Sequence, residues 1–117
     1  MRLRVQEMLN SQRCIIKEDG QLVYDAIHDP LKAGETVFLD FAGSTQYASP
    51  FFNFAIGQLL KDIKESDLRH LLHIENIGEA GKLVVERVIE NASRYHTDID
   101  YRKIVDAILE QQARESA

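Results

Sequence analysis

The stretch Thr36-Val37-Phe38-Leu39-Asp40-Phe41 contains the clearest strand signal in the chain. It is rich in β-branched and aromatic residues, which favour extended backbone. Its apolar run does not alternate with polar residues, and this pattern is typical of a strand covered on both faces in a parallel α/β sheet. We therefore expect this strand to be central.

Two shorter strands and a helix are predicted upstream. Residues 3–8 alternate in the manner of a strand, and Arg13-Cys14-Ile15-Ile16-Lys17 forms a second strand that stops at the turn signal Glu18-Asp19-Gly20. From residue 21 onward apolar residues recur at helical spacing, with Asp19 as the expected N-cap. Pro30 is expected to bend or end this helix, and Ala33-Gly34 closes the segment.

The strongest helix-start signal is Ser49-Pro50, an N-cap type of residue followed by proline. The helix after it carries one apolar stripe, formed by Phe52, Ala55, Ile56, Leu59 and Ile63. Residues 68–74 read as a further strand, with Asn76-Ile77-Gly78 as the turn that leaves it. Two helices are expected at about residues 80–95 and 99–112, the second capped by Asp98 or Asp100.

The resulting order is strand, strand, helix, strand, helix, strand, helix, helix. Strands that alternate with helices predict an α/β fold with parallel pairs and right-handed crossovers. We expect a mixed sheet of about four strands packed by about four helices. No repeat, low-complexity tract or linker interrupts the sequence, so one domain over residues 1–117 is expected.

Charge and composition disfavour several functional classes. The net charge is −5, and the 14 basic residues form no run longer than two, which argues against a nucleic-acid partner. No apolar run is long enough to span a membrane, and the first residues contain no signal-peptide core. The single cysteine, Cys14, cannot form an internal disulfide, so a cytoplasmic location is expected.

The segment Val37-Phe38-Leu39-Asp40-Phe41-Ala42-Gly43, followed by Ser49-Pro50-Phe51 and a helix ending near Leu60, resembles the STAS-like family of small bacterial domains. Residues 13–31 also look like the N-terminal half of that family. The resemblance implies a STAS-like α/β fold. It also implies a regulatory role, because STAS domains include anti-sigma-factor antagonists and regulatory modules of anion transporters, which act by docking on a partner protein.

The resemblance further implies a phosphorylation site at Ser49, because antagonists carry a serine there that the partner kinase phosphorylates. The chain departs from the antagonist pattern at Ala48 and Pro50, where an acidic residue and a small residue are typical. The other interpretation of Ser49 is a helix N-cap, which is sufficient to explain a serine at this position.

We expect the partner surface to combine the loop after the central strand with the start of the next helix. Its candidate contact residues are Ser44, Thr45, Gln46, Tyr47, Ser49, Phe51 and Phe54. Phe51 and Phe54 lie three residues apart on a flanking face of the helix, which predicts an exposed apolar patch; a broadly buried helix is the alternative. The expected partner is another protein, such as a kinase-like or sigma-pathway regulator, and a homo-oligomer is left open.

Three motifs that suggest chemistry have simpler interpretations. His70 and His73 would point to opposite faces of the predicted strand, so they cannot share a metal ion. Cys14 lies among apolar residues and is expected to be a small buried hydrophobe. Gly78-Glu79-Ala80-Gly81-Lys82 has too few residues between its glycines for a phosphate loop and predicts a turn and helix start. We expect no catalytic residue, metal or cofactor. The alternatives are a small enzyme that uses Cys14 with a histidine, and an acidic inhibitor or oligomeric interaction protein.

Overall fold

A computed structural model describes residues 1–116, without the side chains at positions 99, 115 and 116, and shows a mixed α/β fold. The strands are β1 (Arg2–Arg4), β2 (Arg13–Cys14), β3 (Val37–Asp40), β4 (Gln46–Tyr47) and β5 (Leu72–Glu75). The helices are α1 (Val5–Leu9), α2 (Lys17–Lys32), α3 (Ser49–Ala55), α4 (Glu65–Leu71), α5 (Glu79–Thr97) and α6 (Ile99–Ser116), and a 3₁₀ helix spans Gly57–Lys61.

The strands of the described chain form two separate parallel sheets. The larger has the order β1-β3-β5, and Leu39 lies opposite Leu3 on one side and Ile74 on the other. The smaller pairs β2 with β4, two residues each. The central position of β3 is confirmed, but the expected four-stranded mixed sheet is wrong. β2 has only two extended residues before α2 begins, and it pairs with the segment after β3 instead of joining the larger sheet.

The larger sheet is covered by helices on one face and exposed to solvent on the other. Along β3, Val37 and Leu39 are fully buried, whereas Phe38 and Asp40 are only half-buried. The expectation of a strand covered on both faces is therefore wrong. An aromatic residue on the exposed face, Phe38, gives the segment its continuous apolar appearance in sequence.

Neighbouring side chains shield Phe38 on the exposed face. The ring of His73 on β5 stacks on it with centroids 4.9 Å apart. The guanidinium of Arg2 on β1 lies 4.9 Å from the Phe38 ring centroid and also pairs with Glu75. A cation above an aromatic face is a favourable contact, so side chains of the two flanking strands shield the aromatic ring that β3 presents on this face.

Helix boundaries in the first half differ from those predicted. β1 ends at Arg4, and the residues that appeared to continue it form α1, with Val5 fully buried. α2 begins at Lys17, so residues 18–20 are its first turn and Asp19 is not its N-cap. The buried positions of α2, which are Gly20, Val23, Ile27 and Leu31, follow helical spacing and extend the apolar stripe back to the glycine.

Pro30 lies within the last turn of α2, which continues to Lys32. Gly34 then ends the segment in the left-handed conformation, with φ of 86°, as expected for a residue after a helix. The predicted strand at residues 68–74 is helical up to Leu71 and extended only from Leu72. Acidic residues in the first turn of α4 and basic ones in its last turn suit the helix dipole.

A glycine brings α2 unusually close to α3. A Cβ atom at Gly20 would overlap the carbonyl oxygen of Phe51 and lie 3.0 Å from the Phe54 Cβ. Only a residue without a side chain allows this approach. Phe51 and Phe52 are both fully buried in the core beside this contact, and their rings pack edge to face with centroids 5.1 Å apart.

His28 links the other end of α2 to the chain that follows the 3₁₀ helix. Its Nε2 lies 2.8 Å from Asp62 Oδ2 and its Nδ1 lies 3.0 Å from Asp29 Oδ1. Both ring nitrogens thus face carboxylates, which raises the pKa of His28, with Asp62 as the larger cause. Lys32 adds a hydrogen bond from Nζ to the Asp62 carbonyl oxygen at 2.6 Å.

The two C-terminal helices have nearly the predicted bounds. They meet at Asp98, whose Oδ1 accepts a hydrogen bond from the Tyr101 backbone N–H at 3.0 Å, so the predicted cap is confirmed. None of the helices in the described part of the chain is both long and apolar enough to cross a membrane.

Because helices cover only one face of β3, adjacent residues of this strand should differ in whether they tolerate a charged side chain. Leu39→Asp should unfold the domain, because it buries an unpaired charge. Phe38→Asp should leave it folded, because that side chain reaches solvent on the face that carries Arg2. Chemical denaturation followed by circular dichroism compares the two variants, and equal loss of stability would contradict the one-sided arrangement.

Candidate partner-binding site

Backbone hydrogen bonds hold the loop after β3 in place. The Thr45 N–H donates to the Gln12 carbonyl oxygen, and the Ala48 N–H donates to the Cys14 carbonyl oxygen, both at 2.9 Å. Gly43 turns the chain towards β4 in the left-handed conformation, with φ of 86°. A Cβ there would meet the amide end of the Gln6 side chain, which is flexible and can move aside, so it is the positive φ that favours glycine.

The side chains of this segment and of the start of α3 differ in exposure. Those of Thr45, Gln46 and Ser49 are exposed, and those of Ser44, Tyr47 and Phe54 are half-buried. Phe51 is fully buried and cannot contact a partner, which corrects its predicted place in the surface. We use the name docking strip for the six accessible residues, which are Ser44, Thr45, Gln46, Tyr47, Ser49 and Phe54.

Ser49 is not the N-cap of α3. Ala48 occupies that position with extended backbone, φ −144° and ψ 151°, and Ser49 is the first helical residue. No side-chain hydrogen bond caps the helix. The bond from the Ala48 N–H to the Cys14 carbonyl oxygen of β2 holds Ala48 in the extended conformation of an N-cap, and the helix starts at Ser49, one residue earlier than the Ser-Pro signal predicts.

Tyr47 connects the docking strip to the hydrophobic core. Its hydroxyl donates to the Ser44 carbonyl oxygen at 3.0 Å, which closes a tight loop. Its ring packs against Phe41 and Phe52, each with centroids 6.2 Å apart. Burial raises the pKa of Tyr47, as expected for a phenol against apolar surface. The half-buried ring thus ties the polar segment to the core.

Comparison with known families assigns this architecture. A family model described as a STAS-like domain of unknown function (DUF4325) matches residues 19–82, more than half of the chain. The chain belongs to this STAS-like family. Comparisons with curated proteins and with solved structures give no match. The matched segment contains β3, the whole docking strip, α3 and β5, and so includes residues 37–43 and 49–51, which carried the resemblance in sequence.

The STAS-like domain buries its single cysteine. Cys14 has no exposed surface, and its thiol lies 3.8 Å from the Ser44 hydroxyl oxygen. Burial raises the pKa of the Cys14 thiol, whereas nucleophilic cysteines need access and a lowered pKa. The interpretation of Cys14 as a small buried hydrophobe is confirmed.

The paired histidines do not share a strand. His70 lies in the last turn of α4, and His73 lies on β5. Among the residues the structure describes, no group of three or more His, Cys, Asp or Glu side chains could hold a metal ion. The glycine-containing segment at residues 78–82 is a turn and helix start as predicted, with Gly78 as the N-cap of α5.

Two exposed residues of the STAS-like domain, Gln12 and Arg13, lie beside the docking strip. Arg13 on β2 is paired with Gln46, and the Gln12 carbonyl oxygen accepts the hydrogen bond from Thr45. Arg13 therefore brings a positive charge next to the strip. Pairing between two-residue strands leaves no local sequence signal, so this neighbour could not be identified from the sequence.

The position of Ser49 inside the helix predicts a small effect of its removal on stability. Ser49→Ala should change the free energy of unfolding by less than about 0.5 kcal/mol, whereas losing a true N-cap costs about 1 kcal/mol. Asp40→Ala provides a comparison, because Asp40 Oδ1 accepts hydrogen bonds from the Ala42 N–H and the Asn76 amide. Its melting temperature should fall further than that of Ser49→Ala; the reverse order would restore the capping role of Ser49.

Proposed function

We propose that this STAS-like domain is a regulatory protein-binding module that contacts its partner through the docking strip. One observation carries the proposal: the strip displays exposed side chains on a backbone that hydrogen bonds to Gln12 and Cys14 hold in place. A surface ordered before binding loses little conformational entropy when the partner arrives. The strip therefore combines accessibility with preorganisation.

The chemistry of the strip favours a polar partner surface. Thr45, Gln46 and Ser49 offer hydroxyl and amide groups that both donate and accept hydrogen bonds. Phe54 adds an apolar edge, and exposed Arg13 adds a positive charge on the β2 side. A partner with hydrogen-bonding groups and an acidic side chain opposite Arg13 would match this surface.

Ser49 is the candidate regulatory residue of this surface. Its side chain is exposed, and no cap bond occupies its hydroxyl. A phosphate there would add a charge of about −1.5 to −2 to an otherwise uncharged part of the strip. An acidic partner group that docks opposite Arg13 would then be repelled, so phosphorylation by a kinase-like partner would release the complex.

Matched glutamate substitutions test the docking strip. Ser49→Glu and Gln46→Glu place a negative charge on the strip, where it repels the acidic partner group, and Ser66→Glu makes the same change at an exposed serine of α4. We expect a protein from the native cell to be retained by the wild type and by Ser66→Glu. With that protein purified, the two strip variants should weaken its affinity at least about tenfold, as hot-spot changes do.

Two results would count against the proposal. Equal affinity of all four proteins for the retained partner would place the interface elsewhere on the domain. Intact-mass measurement after incubation with ATP and native cell extract tests the phosphosite separately: the wild type should gain one phosphate and Ser49→Ala none. A phosphate gained equally by both proteins would exclude Ser49 as the site.

A further inference from the structure

A cleft lies where the last helix, α6, meets α5 and the 3₁₀ helix. Its volume is about 290 Å³, close to the lower end of the range of small-molecule pockets, which is about 300 Å³. Small residues leave this space open: Gly57 of the 3₁₀ helix lies beside Ala92 of α5, and a Cβ at Gly57 would be 3.7 Å from that of Ala92. Asn53 of α3 and Val105 of α6 also line the cleft. It therefore has the size for a small ligand that touches four helical segments.

Contacts between α5 and α6 position the aromatic wall of the cleft. The Tyr95 hydroxyl donates to Asp106 Oδ1 at 2.6 Å. The guanidinium of Arg94 lies 4.4 Å from the centroid of the Tyr101 ring. The side chains of both tyrosines line the cleft and are half-buried. Their rings are therefore held in place before a ligand binds, which limits the conformational entropy that binding costs.

The charge that the cleft presents is positive. The basic side chains of Lys61 and His96 line it, whereas no Asp or Glu of the described residues does. The pKa of His96 is lowered, first by burial and then by the positive charges of Arg102 and Lys61. Because the whole chain has a net charge of −5, the cleft differs in sign from the protein as a whole. Such a site attracts anions.

Three side chains of the cleft have hydrogen-bond donors that no other protein group uses. In the part of the chain that the structure describes, the side chains of Asn53, Lys61 and Asn91 form no hydrogen bond or ion pair. An ammonium group has three N–H donors and a carboxamide has two. Negatively charged oxygen atoms accept the strongest hydrogen bonds from such donors, so the free groups of the cleft match a carboxylate or a phosphate.

We propose that this cleft binds a small organic anion, whose carboxylate or phosphate oxygens pair with Lys61 and His96 while its apolar part packs on the tyrosine rings. The lining selects this class of ligand. A neutral molecule would leave the ammonium group of Lys61 unpaired, and an inorganic ion would leave the rings of Tyr95 and Tyr101 uncovered. The cleft shares no residue with the docking strip, so this proposal goes beyond the proposed function and does not depend on it.

NMR titration with benzoate, phenyl phosphate and neutral benzamide tests the proposal. One of the two anions should bind with a dissociation constant on the order of 1 mM, as expected of a ligand with few atoms, and the tighter one identifies the anionic group. Bound benzoate should also raise the pKa of His96, because a nearby negative charge favours the imidazolium form, and leave that of exposed His70 unchanged. No response of His96 to either anion, or equal binding of benzamide, would overturn the proposal.

Matched variants locate the binding site of the tighter anion. Lys61→Met removes a charged donor from the cleft and should weaken affinity at least about fivefold. Asn91→Asp keeps the size of the side chain but adds a repelling charge, and should weaken it to a similar extent. Lys103→Met removes the same charge at an exposed residue of α6 outside the cleft and should stay within about twofold of the wild type. Equal weakening by Lys61→Met and Lys103→Met would show general attraction of anions and contradict a site in the cleft.

Discussion

The close approach of α2 to α3 at Gly20 is the contact on which the rest of the fold depends. The Phe51 carbonyl oxygen occupies the space that a side chain at Gly20 would need, and the Ala55 backbone nitrogen lies 3.1 Å from the same point. With the helices this near, Phe51 and Phe52 both enter the core and pack on Phe41 of the sheet. The position of α3 sets the end of β4, and so the docking strip.

This arrangement explains why a sheet of three parallel strands is stable with helices on one face. Parallel sheets are usually covered on both faces, because their strands are apolar throughout. Here β3 has a half-buried aromatic residue, Phe38, on the exposed face. Arg2 and His73, which lie on the two neighbouring strands, shield its ring from solvent. The face that the helices cover holds Leu39 and Val37, which are fully buried. The family match over residues 19–82 includes β3 and β5 but not β1.

The elements with strong local signals were predictable from the sequence. β3, α5 and α6 combine propensity, periodicity and a recognisable start or cap, and all three are present. β2 and β4 were not identified as a pair, because two residues each carry too little pattern to specify a partner. α4 was misread as a strand, since its apolar residues are few and its signal lies in charges arranged along the helix dipole.

The candidate site was predictable in position but not in detail. The loop after β3 and the start of α3 lie together on the surface as expected, yet burial separates Phe51 from Phe54. That difference depends on the close approach of α2, which the sequence of residues 49–54 alone does not indicate. The predicted capping role of Ser49 was wrong for a similar reason, because the hydrogen bond between Ala48 and β2 holds Ala48 in the N-cap position, one residue earlier than predicted.

The free energy of unfolding of Gly20→Ala tests this account most directly. Glycine inside a helix is normally less favourable than alanine by up to about 1 kcal/mol, so helix propensity alone predicts that the variant is stabilised. Overlap with the Phe51 carbonyl predicts the opposite sign, a loss of about 1–3 kcal/mol, as overpacked cores show. Gly78→Ala, at a glycine with open space around it, meets no such overlap and should lose only the N-cap preference of glycine over alanine, less than about 1 kcal/mol. A Gly20→Ala protein as stable as the wild type, or more so, would contradict the dependence of the fold on this contact.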